Sequence, residues 1–172
     1  MMKRTVWIVS GFLVVVMFAA ACVTHSKKKS EERVTLQIHL QTNPAMPESY
    51  RRQIIFQKPP ITFWVNSVAE LTEHDLADVA TVPSPGGLQI KLQFNQHGSF
   101  VFEQLTGGNR GRYLAVLINA QPVAVIRIRE SRSDGQLIFT PNLTDPQIET
   151  IVTNLQHTIA IINREENWGI TP

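Results

Sequence analysis

The one cysteine of the chain, Cys22, stands directly after Ala19-Ala20-Ala21 and an apolar run from Val6 to Phe18, itself preceded by Lys3 and Arg4. A basic start, an apolar middle and small residues before a cut are the parts of an export signal. With a thiol as the first residue after the cut, the chemistry expected is a thioether between Cys22 Sγ and a diacylglyceryl group, followed by cleavage before Cys22. Residues 1–21 therefore read as a lipoprotein signal peptide and Cys22 as the lipidation site. Two other readings stay open. From Thr5 to Val23 the run is long enough, at roughly 19 residues, to cross a bilayer as an uncleaved helix, although three alanines hold lipid weakly and a lone cysteine at the boundary is unusual there. Ala19 stands where a lipidation motif more often has Leu, which leaves a plain secretory signal as the third reading.

Elsewhere the residue types allow chemistry without demanding it. His74 and Asp75 with Ser99 supply the members of a hydrolase triad, yet no nucleophile elbow surrounds Ser99, and a helix cap accounts for it more simply. Glu70 and Glu73 have the types of an acid and base pair, or of solvated carboxylates at a turn. His74, Asp75, Asp78 and His97 would gather around a metal only if the chain folded back on itself, and their spacing matches no ligand frame. Gly107-Gly108-Asn109-Arg110-Gly111 suits an anion-binding nest or, more plainly, the exit of a helix. Arg127 and Arg129 share one face of a strand with Arg132 beyond, a small basic stripe diluted by Glu130 and Asp134. No catalytic, cofactor-binding or metal-ligating residue is assigned, and the chain is expected not to be an enzyme. The alternative kept open is a small extracytoplasmic hydrolase with an unrecognised site.

Charge narrows the partners. The 16 basic and 14 acidic residues give a formal net charge of +2, and Lys3 and Arg4 are the only charges before Cys22, so removing residues 1–21 leaves a neutral body. A neutral surface offers no footprint for a phosphate backbone, which argues against nucleic acid. Lys27-Lys28-Lys29 is followed at once by Glu31 and Glu32, so residues 22–33 read as a charged, solvated linker. About 150 residues remain, enough for one domain that buries roughly two thirds of its unfolded surface.

The elements follow from hydrophobic period. Val34, Leu36, Ile38 and Leu40 alternate with polar residues, the pattern of a strand with one wet face. A second extended segment runs from Gln53 to Val65, interrupted by Pro59-Pro60, which suits an edge or a bulge. Asp78 to Val82 and Leu88 to Phe94 form a hairpin around Pro83-Ser84-Pro85-Gly86-Gly87. A short helix is predicted from about Ser99, its N-cap, to Thr106, with Gly107-Gly108 as the stop. Tyr113 to Ala120 reads as a central strand, and Val123 to Arg129 with Gln136 to Thr140 as a second hairpin around Ser133-Asp134-Gly135. Thr144 and Gln147 have capping-box spacing with Pro146 in the first turn. Ile148, Ile151, Val152, Leu155, Ile159 and Ile162 then share one helical face. The fold class expected is α+β, an antiparallel or mixed sheet with two helices packed on one face.

In their order, several of these motifs resemble one family. They are Leu71-Thr72 with Asp75-Leu76, the strand Gly87 to Phe94, the helix start Gly98 to Phe102, then Leu105-Thr106 with Asn109, Gly111 and Arg112 leading into Leu114-Ala115-Val116-Leu117-Ile118. Gly135-Gln136-Leu137-Ile138 and Leu143-Thr144 follow. Together they resemble the head subdomain of the first periplasmic loop of SecD, an accessory subunit of the bacterial Sec translocase. The resemblance covers about half of the chain, and the phrase from Leu105 to Ile118 is its most specific part. It implies a domain order of N-terminal strands over 34–66, a head-like α+β domain over 63–163 and a tail over 164–172. It also implies contact with exported polypeptide or an envelope protein, and no catalytic residues. SecD carries several membrane helices that couple transport to the proton gradient, whereas nothing after Cys22 here is an apolar span, so the expectation is a head without that motor. Val23 follows Cys22 where Asp would favour inner-membrane retention, so the outer membrane is the expected destination, facing the periplasm.

Overall fold

A computed structural model describes residues 33–57 and 60–168 of the chain. Cys22, the signal segment and the lysine cluster lie outside the described residues, as does the end of the chain after Trp168. In order, the elements are β1 (Leu36–Leu40), a 3-10 turn (Glu48–Tyr50), β2 (Arg51–Gln57), β3 (Pro60–Asn66), β4 (Leu71–Thr72), a second 3-10 turn (Glu73–Asp75), β5 (Leu76–Ser84) and β6 (Gly87–Phe94). The helix α1 (Gln96–Gly108) follows, then β7 (Tyr113–Ile118), β8 (Gln121–Arg127), β9 (Gln136–Phe139) and the helix α2 (Asp145–Trp168).

Alternation in the strands decides where the core sits. One face of β1, Leu36, Ile38 and Leu40, meets Leu114, Val116 and Ile118 of β7 and Ile90, Leu92 and Phe94 of β6 in a single cluster. Phe102 and Leu105 of α1 and Ile148, Val152, Leu155 and Ile159 of α2 fill the same cluster, so both helices pack into one core with the inner faces of the strands. The strands form a four-stranded sheet in the order β4-β1-β7-β8, a three-stranded sheet in the order β5-β6-β9 and the hairpin β2-β3, with every pair antiparallel. This is the expected α+β class. The hairpin packs on the outer face of the four-stranded sheet, where Ile54 and Val65 meet Ala115 and Leu117 with Phe63 beside them.

Three local readings need correction. The extended stretch from Gln53 to Val65 is two strands, paired from Arg51 with Asn66 to Gln57 with Pro60. Pro60 is the first residue of β3, a position where a missing N–H is tolerated. The first helix begins three residues before Ser99, because the side chain of Asn95 accepts a hydrogen bond from Gly98 N at 2.8 Å and so serves as the N-cap. Ser99 instead donates its hydroxyl to Phe94 O at 3.3 Å. The segments Val123 to Arg129 and Gln136 to Thr140 do not pair with each other: β8 is bonded to β7, and β9 to β6. The tight turn in that region joins β7 to β8 through Asn119 and Ala120, both at positive φ of 48° and 61°. That backbone is what a two-residue hairpin turn needs. The predicted capping pair is present in part, since Gln147 Oε1 accepts from Thr144 N at 2.9 Å.

Candidate functional site

The residues singled out for chemistry are used as struts. Asp75 Oδ1 meets His97 Nδ1 at 2.9 Å, while its Oδ2 accepts from Thr72 N at 2.8 Å. The neighbouring His74 offers its carbonyl to Asn95 Nδ2 at 2.8 Å. These bonds tie the second 3-10 turn to the start of α1, and Ser99 is engaged elsewhere, so no triad assembles. Glu73 Oε2 accepts the N–H of Leu36 at 2.9 Å and Glu70 Oε1 the side-chain amide of Asn66 at 2.6 Å, so each carboxylate holds a different strand and the two form no acid and base pair. Among the described residues no three His, Cys, Asp or Glu side chains are grouped to hold a metal. The glycine-rich exit of α1 is also engaged. Gly111 N donates to Ile128 O at 2.8 Å, Arg112 Nη1 to Asn109 Oδ1 at 2.5 Å, and Arg112 Nη2 to Gln41 O. Of the basic stripe, Arg132 is paired with Asp134 at 2.8 Å, which holds that carboxyl below the usual range.

What sequence spacing did not reveal is a groove. The far end of the β2-β3 hairpin overhangs the outer face of the sheet, and beneath it Phe56, Ile61 and Phe63 face Tyr113, Val123 and Val125 across about 650 Å³. Phe63 packs on Tyr113 with ring centroids 5.6 Å apart. Ile61 remains 42% exposed, a large apolar side chain left at the mouth. At its base the hairpin is anchored by Arg51, whose guanidinium lies 4.2 Å from the centre of the Trp64 ring and donates to Pro44 O. Thr140, Ala124 and Val125 also border a second hollow of about 610 Å³ between β8 and β9. Its floor includes Phe102, Thr106, Leu114 and Leu137, and its rim carries Arg127, Arg129 and Glu130. The first hollow is an apolar trough, whereas the second carries charged groups along its rim.

Beneath the hairpin, on the same outer face, His39 is buried with Nδ1 2.9 Å from Asn66 O. Its Nε2 has no hydrogen-bond partner among the described residues. Burial pushes the imidazole below its ordinary range, with the charge of Arg52 acting in the same direction and the Asn66 bond opposing.

Two solved structures share this arrangement of strands and helices. One, described as SecDF in a super-membrane-facing form, aligns with 72% of this chain at a TM-score of 0.56 and 22% identity. The fold is similar to that of SecDF. The second, described as a membrane component SecDF that enhances protein export, aligns with 72% of the chain at a TM-score of 0.54 and 22% identity. This chain spans 19% of the first SecDF chain and 62% of the second. No family model and no curated protein matches the sequence. The SecDF-like fold confirms the body expected from the ordered motifs between Leu71 and Thr144, and it extends over more of the chain than those motifs do. No described helix is long and apolar enough to cross a membrane.

Proposed function

We propose that this chain is a lipid-anchored envelope module that binds extended polypeptide, either an exported chain or a segment of an envelope protein, and that it is not an enzyme. The observation that carries the reading is the apolar trough under the β2-β3 hairpin, lined by Phe56, Ile61, Phe63 and Val125. A SecDF-like fold supports a place near exported chains, since SecDF is described as enhancing protein export. A diacylglyceryl group on Cys22, after removal of residues 1–21, would hang the body from the membrane by a linker over 22–33, with the outer membrane favoured by Val23. No cofactor or nucleic acid enters this function.

The test is site-directed crosslinking in intact envelopes from a photoreactive residue at Ile61, a position exposed at the mouth of the trough. Adducts with polypeptide that disappear when Phe63 is replaced by Asp support the reading. Absence of any protein adduct from Ile61, with the variant folded, sinks it.

A further inference from the structure

Across the second hollow the edges of β8 and β9 face each other, and neither has a further strand paired to it. Ile128 N donates to Arg112 O at 2.9 Å, which sets the alternation along β8. Ile126 and Ala124, opposite Leu114 and Val116, turn their backbone groups to β7, and Val125 and Arg127 turn theirs to the open side. On the other wall, Phe94 N donates to Gly135 O at 2.9 Å. Leu137 and Phe139, opposite Leu92 and Ile90, are therefore bonded to β6, and the backbone groups of Gln136 and Ile138 point outward, the N–H of Gln136 being taken by Asp134 Oδ1 at 3.2 Å. Asn142 N donates to Val123 O at 2.8 Å and closes one end of the seam, while Arg132 N donates to Thr106 Oγ1 at 3.0 Å and fixes the connecting loop at the other. The walls thus run antiparallel with nothing bonded between them. Other edges are blunted: β4 has two residues, and β5 carries Pro83 and has Val79 O bonded to Gln156 Nε2 at 2.9 Å.

Resting on the polypeptide-binding reading above, we propose that the seam between β8 and β9 accepts one extended segment of another polypeptide as an added strand. The added strand joins the four-stranded and three-stranded sheets into one. The wall of β8 offers it the N–H and C=O groups of Val125 and Arg127, that of β9 those of Ile138 and the C=O of Gln136, and its inward side chains lie over Phe102, Leu114 and Leu137. Its outward side chains meet Arg127 and Arg129, neither of which makes an ion pair among the described residues, while Glu130 shares that rim and Asp134 is held by Arg132. The segment favoured is accordingly one that alternates apolar inward positions with polar outward positions and carries an acidic side chain toward the Arg127 end.

Proline at an outward-facing position separates this from simple apolar adhesion. Val125→Pro removes an N–H that takes no part in the β7 ladder, and Pro122 already occupies the same strand. The probe is a soluble peptide alternating valine and threonine with one glutamate, titrated against the full chain in lipid nanodiscs, with hydrogen exchange read by mass spectrometry. The expected results are protection of the amides of Val125, Arg127 and Ile138 on binding, and affinity lowered roughly tenfold or more in Val125→Pro and in Ile138→Pro. A probe with lysine in place of glutamate binds several-fold more weakly. If the wild type binds with no protection of those amides, or the folded proline variants bind as well as the wild type, the strand-addition proposal falls while the trough reading stands. Failure of the wild type to bind either this peptide or an unfolded protein overturns both. A concentration-dependent dimer that Val125→Pro abolishes assigns the seam to a second copy of this chain and overturns the proposal.

Discussion

Asn142 donates its backbone N–H to the carbonyl of Val123 at 2.8 Å, a bond between the end of one sheet's edge and the start of another's. It lies outside every ladder of the fold, and it closes one end of the hollow between β8 and β9. Asn142 is itself exposed, so Asn142→Pro deletes this donor with little other loss. Loss of one such bond costs about 1 kcal/mol, which lowers the melting temperature by about 2–4 °C for a domain of this size. Faster exchange of amides on both sides of the seam accompanies it. An unchanged melting temperature and exchange pattern would mean that the loop after β9 holds its place without this bond.

Gly98 of α1 lies against Asp75 of the second 3-10 turn. A Cβ at this position would lie 2.4 Å from Asp75 O and 2.9 Å from Asp75 Cβ. Gly98→Ala gains about 1 kcal/mol in helix propensity, but the clash is with backbone and no rotamer relieves it. Overpacking of this kind costs about 1–3 kcal/mol, and with the Asp75 and His97 contact strained as well the clash wins. The denaturation midpoint falls, with the slope unchanged. A variant as stable as the wild type would show that α1 shifts away from the turn at no cost.

The parts of this fold legible in the sequence were those with a period and a cap. In α2, Ile148, Val152, Leu155 and Ile159 are all at most 5% exposed, and their spacing alone placed them on one face. Pairing was legible only where a turn lay between partners, as with Leu76–Ser84 and Gly87–Phe94 around a two-residue loop. Val123 to Arg129 and Gln136 to Thr140 are adjacent, amphipathic and run antiparallel, so they imitate a hairpin. What keeps them apart is tertiary: β9 is taken by β6 and the loop is held on Thr106. The trough escaped notice for a related reason. Phe56, Ile61 and Phe63 read as ordinary strand residues, and only the overhang of the hairpin leaves Ile61 open. The polar candidates failed because hydrogen-bonding side chains near turns are needed first to close backbone bonds, as Glu73 does for Leu36.

The anchor is tested at Cys22. Cys22→Ala removes the thiol that would take the diacylglyceryl group, and with it the cut before residue 22. The intact mass of the wild-type chain is expected to begin at an acylated Cys22, whereas the variant keeps its N-terminal segment. Wild-type protein that retains Met1 or Met2 onward would establish an uncleaved helix in place of the lipid. Membrane fractionation then decides destination, and enrichment with inner-membrane markers would remove the case built on Val23.

His39 gives the fold a dependence on acidity. The ordinary imidazole value is 6.5, and burial under the hairpin lowers it in the folded protein, with Arg52 adding to the effect. Below 6.5 the unfolded chain takes up a proton at this residue that the folded chain still refuses, so acid favours unfolding. The stability that neutral His39 contributes is complete above about 6.5, and it is lost as the pH falls through the lowered folded-state value. In His39→Gln this part of the pH dependence vanishes, whatever the substitution does to stability at neutral pH. The measurement is the denaturation free energy of both proteins across mildly acidic pH, read as a slope. Parallel slopes for the two proteins would show that His39 protonates as freely in the fold as in the unfolded chain, and that the hairpin opens to let it.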